Sequence, residues 1–234
     1  MKPALRRFRV TARMLNGHVL DSELYLESIL AAVHPVMHNQ PQRLVRNQTV
    51  KPVVPPLPIA AVWQHDQRLV WAASAGFYNE NTRLESTNFC KRRDGIDVLM
   101  TQRSFQPASG HMKDRLEKRP LIMAKEIHWD VATNNRRDLV HLLRRNVFAI
   151  GSLRRMGYGE VQSWDAVEID DVVSACFVED GRAKRKLPTD VLSTFRLPAE
   201  VMTVRPPYWY TAERCLGVNS GTPCCLKDDL RVAI

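Results

Sequence analysis

Asn135-Arg-Arg-Asp-Leu-Val-His-Leu-Leu-Arg144-Arg145-Asn-Val-Phe-Ala-Ile150-Gly151-Ser-Leu-Arg154-Arg155-Met-Gly157-Tyr158-Gly159-Glu160-Val161 is the stretch from which the rest of the chain is read. Asn135 with Asp138 three residues on makes a capping-box-like start. Leu139, Leu142, Leu143, Val147 and Ile150 then recur at helical spacing, which predicts a helix through about Ile150. Arg137, His141, Arg144 and Arg145 fall on its opposite side. A strand is predicted from about Glu160 to Ile169. Between the two lie three glycines, two adjacent arginines and a tyrosine. Glycine lacks a Cβ, so the backbone there can take positive φ and approach another polymer closely. Its amides then form a concave anion site beside the guanidinium groups. The partner that uses both is a phosphate chain. The glycines alone read equally well as a common helix-exit turn; the Arg-Arg pair favours the phosphate reading.

Upstream, residues 7 to 14 alternate, with Phe8, Val10, Ala12 and Met14 on one side and Arg7, Arg9, Thr11 and Arg13 on the other. The pattern fits an edge strand with solvated arginines or a sheet whose open face carries a basic stripe. Asp21 or Ser22 is expected to cap a short helix bearing Leu26, Ile29, Leu30 and Val33, stopped at Pro35. The proline-rich run from Asn39 to Pro58 reads as a connector. Ile59 to Trp63 and Leu69 to Phe77 predict a hairpin, and Leu121 to Trp129 a further strand. Residues 78–120 carry many bases, among them Lys91, Arg92, Arg93, Arg103, Arg115, Lys118 and Arg119. They read as an insertion projecting from the body or as a solvated loop of mixed charge. After the last strand come an acidic patch (Glu168, Asp170, Asp171), a basic hairpin-like run from Arg182 to Lys186 and an irregular tail. Without the insertion, the order is the β-α-β-β-α-β plan of a ferredoxin-like α+β fold, which leaves one sheet face open. The division expected is a core of residues 1–77 and 121–170, an insertion at 78–120 and an extension at 171–234.

Bulk properties narrow the partners. Thirty-four Lys plus Arg against 25 Asp plus Glu give a net charge of +9 over 234 residues, which favours a polyanion, nucleic acid first. An anionic membrane surface is the weaker option; no run approaches the roughly 18 apolar residues of a spanning helix, and the partners expected include no membrane. The N-terminal stretch reads straight into a strand, without the apolar segment of a signal peptide. Five irregularly spaced cysteines fit a reducing cytoplasm and no disulfide framework. Cys215, Cys224 and Cys225 lack the Cys-x-x-Cys spacing or histidine pair of a zinc site, so neither metal nor other cofactor is expected. No Gly-x-Ser-x-Gly, Walker loop or His-Glu-x-x-His motif is present, and the glycine loop precedes its strand, unlike a dinucleotide fingerprint.

The helix followed by Gly151, Arg154, Arg155, Gly157, Tyr158 and Gly159, with the opening strand, Leu20-Asp21 and first helix, resembles the CRISPR-associated RAMP superfamily of RNA-binding proteins. The whole chain, including Arg205-Pro-Pro-Tyr-Trp-Tyr210, is most similar to the type IV effector-complex subunit that caps the five-prime handle of the guide RNA. The resemblance implies a non-catalytic subunit that holds the guide RNA (crRNA) and adjoins the backbone filament subunit and the large subunit. It implies a thumb-like role for residues 78–120, and target DNA binding through the complex, where base pairing reads sequence.

On this reading the glycine loop with Arg154 and Arg155 grips phosphates, and Tyr158 either stacks on a base or is a core residue at the strand start. Trp164 poses the same choice and favours core. Arg144 and Arg145, Arg9 and Arg13, and Lys91, Arg92 and Arg93 either extend the basic track or are solvated charges. The alternatives are a metal-independent RAMP endoribonuclease, for which His34 and His38 after the first helix are the candidate bases, and a basic RNA-binding module outside CRISPR.

Overall fold

The computed structural model describes residues 4–20, 22–34, 56–64, 67–91, 115–196, 198–204 and 214–234. It is a mixed α and β molecule, mostly antiparallel strands with few helices. In chain order the elements up to the acidic patch are β1 (Arg6–Met14), β2 (His18–Val19), α1 (Leu26–Val33), β3 (Ala61–Gln64), β4 (Gln67–Trp71), β5 (Phe77–Tyr78), β6 (Arg83–Lys91), β7 (Arg115–Met123), β8 (Glu126–Thr133), α2 (Arg136–Asn146) and β9 (Val161–Asp170).

β1 alternates as the sequence predicts, but it is not an edge. The main sheet runs β5-β8-β1-β9, and every neighbouring pair is antiparallel. A central strand tolerates its arginines because the flanking strands bring acids opposite them. Arg9 Nε donates to Asp130 at 3.0 Å, Arg13 Nε to Glu126 at 3.2 Å, and Arg7 bonds both oxygens of Asp170. The other face buries Phe8, Val10, Ala12 and Met14 beneath both helices, against Leu26, Ile29 and Leu30 of α1 and Leu139 and Leu143 of α2. Trp129 and Trp164 join this core with ring centroids 5.8 Å apart, and each indole N–H bonds a carbonyl, of Leu24 and Val147 respectively. Trp164 is therefore a core residue. α2 starts at the expected cap, where the Asn135 side chain accepts from the Asp138 amide, but ends at Asn146. α1 starts after Tyr25 with no side-chain cap, so Ser22 does not cap it; Asp21 lies outside the described residues.

The expected hairpin forms as β3 and β4, but outside the main sheet, in the order β17-β3-β4 once β17 (Arg231–Ala233) is added from the chain end. Its residues alternate between two cores. Ile59, Ala61, Trp71 and Ala73 join the core under the helices, while Ala60, Val62, Val70 and Ala72 join a second one. Burial on both faces explains why these strands read as unbroken apolar runs. The strand that completes the main sheet beside β8 is only Phe77–Tyr78. The strand expected at Leu121 to Trp129 is two strands, with Ala124 and Lys125 turning between β7 and β8.

The extension is more regular than its sequence suggests. It holds β10 (Val178–Glu179), β11 (Arg182–Ala183), β12 (Leu187–Pro188), β13 (Leu192–Phe195), β14 (Glu200–Met202), β15 (Cys215–Val218) and β16 (Cys224–Leu226) before β17. Cys176, Phe177, Leu187, Val191 and Val218 build the second core with the hairpin and Ala132. The run Arg182 to Lys186 is not a free basic surface. Lys184 Nζ reaches Asp130 at 2.5 Å and Glu179 at 2.8 Å. Arg185, fully buried, pairs with Glu27 of α1 at 2.6 Å and donates to the carbonyls of Trp71, Ala73 and Val204. Among the described residues no helix is long and apolar enough to cross a membrane.

Candidate nucleic-acid interface

α2 delivers the chain to the glycine loop at one end of the main sheet. The neck of the loop is closed by Ile150 N–H to Gly159 O at 2.8 Å and Val161 N–H to Phe148 O at 2.8 Å. Its flank is sewn to the strip from Leu15 to Val19. The amide of Ser152 donates to Val19 O at 2.7 Å, and that of Gly159 to Gly17 O at 2.9 Å. Asn16 donates to Gly157 O at 2.7 Å and accepts from the Glu160 amide at 2.9 Å. The glycines divide accordingly. A Cβ on Gly159 would stand 1.9 Å from Ile150 O, whereas one on Gly157 would meet nothing within 4 Å. The neck glycine thus serves packing against the protein's own backbone, and the one at the tip faces open space.

The tip is a single 3-10 turn, Arg154–Met156, preceded by Leu153 in the left-handed region at φ 58°. Arg154 and Arg155 are exposed, and although the Arg154 carbonyl accepts from the Gly157 amide at 3.1 Å, neither guanidinium makes an ion pair or hydrogen bond among the described residues. None of the backbone bonds holding the loop uses the amides of Leu153, Arg154 or Arg155. Two guanidiniums with no partner among the described residues, on a tethered turn, have the chemistry to meet an anion. Tyr158 is neither core nor free. It is half-buried, and its hydroxyl shares a 2.7 Å hydrogen bond with Thr87 Oγ1 of β6.

That bond joins the loop to the insertion. β6 and β7 pair from Arg83–Met123 to Lys91–Arg115, and β2 pairs with the base of β7. Thr87 stands opposite Arg119, whose guanidinium bonds Glu117. Lys91 closes β6, its side chain outside the described residues, as are Arg92, Arg93 and His38. On α2, Arg145 is exposed with no side-chain partner among the described residues, and Arg144, also exposed, donates Nε to Trp164 O at 3.0 Å while its outer nitrogens bond no described residue.

Arg9 and Arg13 lie on the sheet face away from α2, apart from this cluster. There, burial opposes ionisation of Asp130, but hydrogen bonds from Arg9 and Lys184 outweigh it and hold its carboxyl below the usual range. The Arg7 hydrogen bond does the same for Asp170. Arg9 and Lys184 also flank the Phe77 ring at 5.2 and 5.3 Å. This face is a lattice of matched charges.

The histidines follow the packing. His34 is the residue after α1 and is half-buried. His18, which sequence reasoning passed over, stacks on Tyr78 with its Nε2 3.0 Å from the hydroxyl, a histidine–tyrosine pair of the kind general acid–base chemistry uses. It is closed to solvent, and burial pushes its imidazole down to about 4. Burial also raises the Tyr78 phenol. Phe148, 67% exposed beside the loop neck, was missed too. Its signal was present: one position past Val147 and two before Ile150, it cannot share their stripe.

The family of CRISPR type IV associated protein Csf3 matches residues 89–220, more than half of the chain. A search of curated proteins finds no match.

Proposed function

The chain belongs to the CRISPR type IV associated protein Csf3 family, and on that premise we propose that it is the guide-RNA-binding subunit of a type IV ribonucleoprotein complex, holding the repeat-derived five-prime handle through the glycine loop. Membership removes the alternative of an RNA-binding module outside CRISPR. One observation carries the proposal: Arg154 and Arg155 stand exposed and unpaired on a turn whose neck is fixed by seven hydrogen bonds to its surroundings or across itself, counting those of Ile150, Ser152 (amide and hydroxyl), Gly159, Val161 and the two of Asn16. An anion site built on a rigid neck loses little entropy on binding. Arg145 and the outer nitrogens of Arg144 extend it along α2, and the β6–β7 ribbon, bonded through Thr87 to Tyr158, is the thumb-like element beside it.

The ferredoxin-like reading draws support from the main sheet. Taking β1, β5, β8 and β9 as first to fourth strands, the order is fourth, first, third, second, with both helices on one face, as two interleaved split βαβ units require. The role is proposed as non-catalytic. The fully buried position of His18 in the His18–Tyr78 pair supports this, and the proposed binding chemistry needs no metal or other cofactor. Neighbouring backbone and large subunits are the proposed protein partners, with target DNA reached through the assembled complex.

The test is charge reversal. Arg154→Glu with Arg155→Glu should leave the melting temperature unchanged, weaken binding of the guide RNA at least tenfold, and make the salt dependence shallower by roughly one ion-pair unit or more. Wild-type retention by the double variant, with an unaltered salt slope, would overturn the role of the loop.

A further inference from the structure

The strip Leu15–Gly17 has two sides. One holds the glycine loop through Asn16 and Gly17; the other forms a wall of a cleft of about 820 Å³ at the same end of the main sheet. Three turns converge there: Leu15–Gly17 after β1, Asn79–Thr82 before β6, and Ala124–Lys125 before β8. The size is within the range of small-molecule sites, roughly 300–1,000 Å³. Its lining combines three chemistries. Leu15 and Met123 are apolar and 55% and 37% exposed. Asn79 and Asn81 carry side-chain amides, and Arg83 and Lys125 carry cations; none of these four side chains bonds to any described residue. Two acids also line the cleft, Glu80 and Glu126, of which Glu126 is engaged by Arg13 at 3.2 Å.

Unpaired carboxamides can offer a donor and an acceptor to a planar edge. Apolar side chains give that plane a face to lie on, and free cations take a phosphate. We propose that this cleft receives one extruded nucleotide of the RNA strand whose phosphates Arg154 and Arg155 hold. Its base lies on Leu15 and Met123, its edge is read by Asn79 and Asn81, and its phosphate is met by Arg83 or Lys125. Asn16 is the hinge of the arrangement, since it lines the cleft while bonding Gly157 O and the Glu160 amide. The inference rests on the RNA-binding reading of the loop and adds a base-specific subsite to it. A free nucleotide has the same chemistry, so the experiment separates the two sources.

The full chain is titrated with a labelled single-stranded RNA of the sequence that co-purifies with it, and with copies carrying one abasic site each. The expected result is one position at which base removal weakens binding about tenfold, the others changing little. A photoreactive uridine at that position should crosslink to a peptide within residues 79–83 or 123–125. Asn79→Ala with Asn81→Ala should abolish the difference between intact and abasic RNA while leaving the salt slope unchanged, because phosphates set that slope. Normal RNA binding with a featureless abasic scan and crosslinks confined to residues 151–159 would overturn the subsite and leave the loop's role standing. Saturable binding of a nucleoside monophosphate in this cleft, undisturbed by excess RNA, would assign it to a free nucleotide and overturn it equally. Absence of any RNA binding would overturn both readings.

Discussion

Gly157 and Gly159 have backbone angles within ten degrees of each other, φ 84° and 74°, yet they answer to different constraints. At Gly159 a methyl group would collide with a backbone carbonyl that cannot swing away. Gly159→Ala should therefore cost more than about 2 kcal/mol and disturb the neck. Gly157→Ala meets open space and should cost only about 1 kcal/mol for the left-handed angle. Thermal melts of the pair check this, and equal losses would show that the neck contact carries no weight. His18 supplies a pH effect. Folding lowers its imidazole from the ordinary 6.5 to about 4, so the unfolded chain binds a proton that the folded chain refuses in that interval. Stability is then complete above about pH 6.5 and falls with acid toward pH 4, by roughly 2 kcal/mol at pH 5. Denaturant midpoints between pH 7 and pH 5 should fall with that sign, and His18→Phe should make the slope shallower, leaving the part that the buried His128, also lowered, contributes.

Among elements, the β6–β7 ribbon stands apart energetically. No side chain described in either strand is buried, and Leu84 and Leu116 are each 74% exposed. A two-stranded ribbon of this kind adds little to global stability. Replacing residues 86–120 with an Asn-Gly turn keeps Arg83–Glu85 opposite Leu121–Met123 and should lower the melting temperature by less than about 4 °C. The same change removes Thr87, the partner of Tyr158, and should weaken RNA capture and complex assembly. A large thermal loss would identify the ribbon as part of the fold's support. The α2–loop–β9 unit was legible in sequence because each signal is local: the Asn135 cap, the Leu139–Leu143 stripe, the glycines and the alternation after Val161. The Thr87 bond was not, because it joins residues 71 positions apart through a register that only strand pairing sets.

At the scale of the molecule, two apolar cores share one hairpin and are bolted together at Arg185. Its guanidinium lies over the Tyr25 ring at 5.0 Å and joins α1, β4 and the extension through Glu27, Trp71 and Val204. Removing one member of a buried pair strands the other charge, so Arg185→Met should cost about 3–5 kcal/mol. Because β3 and β4 contribute to both cores, calorimetry should still give one transition, at lower temperature. Two resolved transitions would mean that the extension is an independent unit.

Sequence alone determined the main strand and helix of the site, the basic character, the glycine loop and the resemblance that family membership bears out, since these are written in local spacing and composition. Tertiary structure decided which charges are free. Arg154 and Arg155 stay unpaired among the described residues, while Arg7, Arg9, Lys184 and Arg185, no less basic in sequence, are spent on Asp170, Asp130 and Glu27. The reason is that an ion pair forms between residues up to 172 positions apart, and a linear chain does not state which carboxylate the fold will set opposite which arginine.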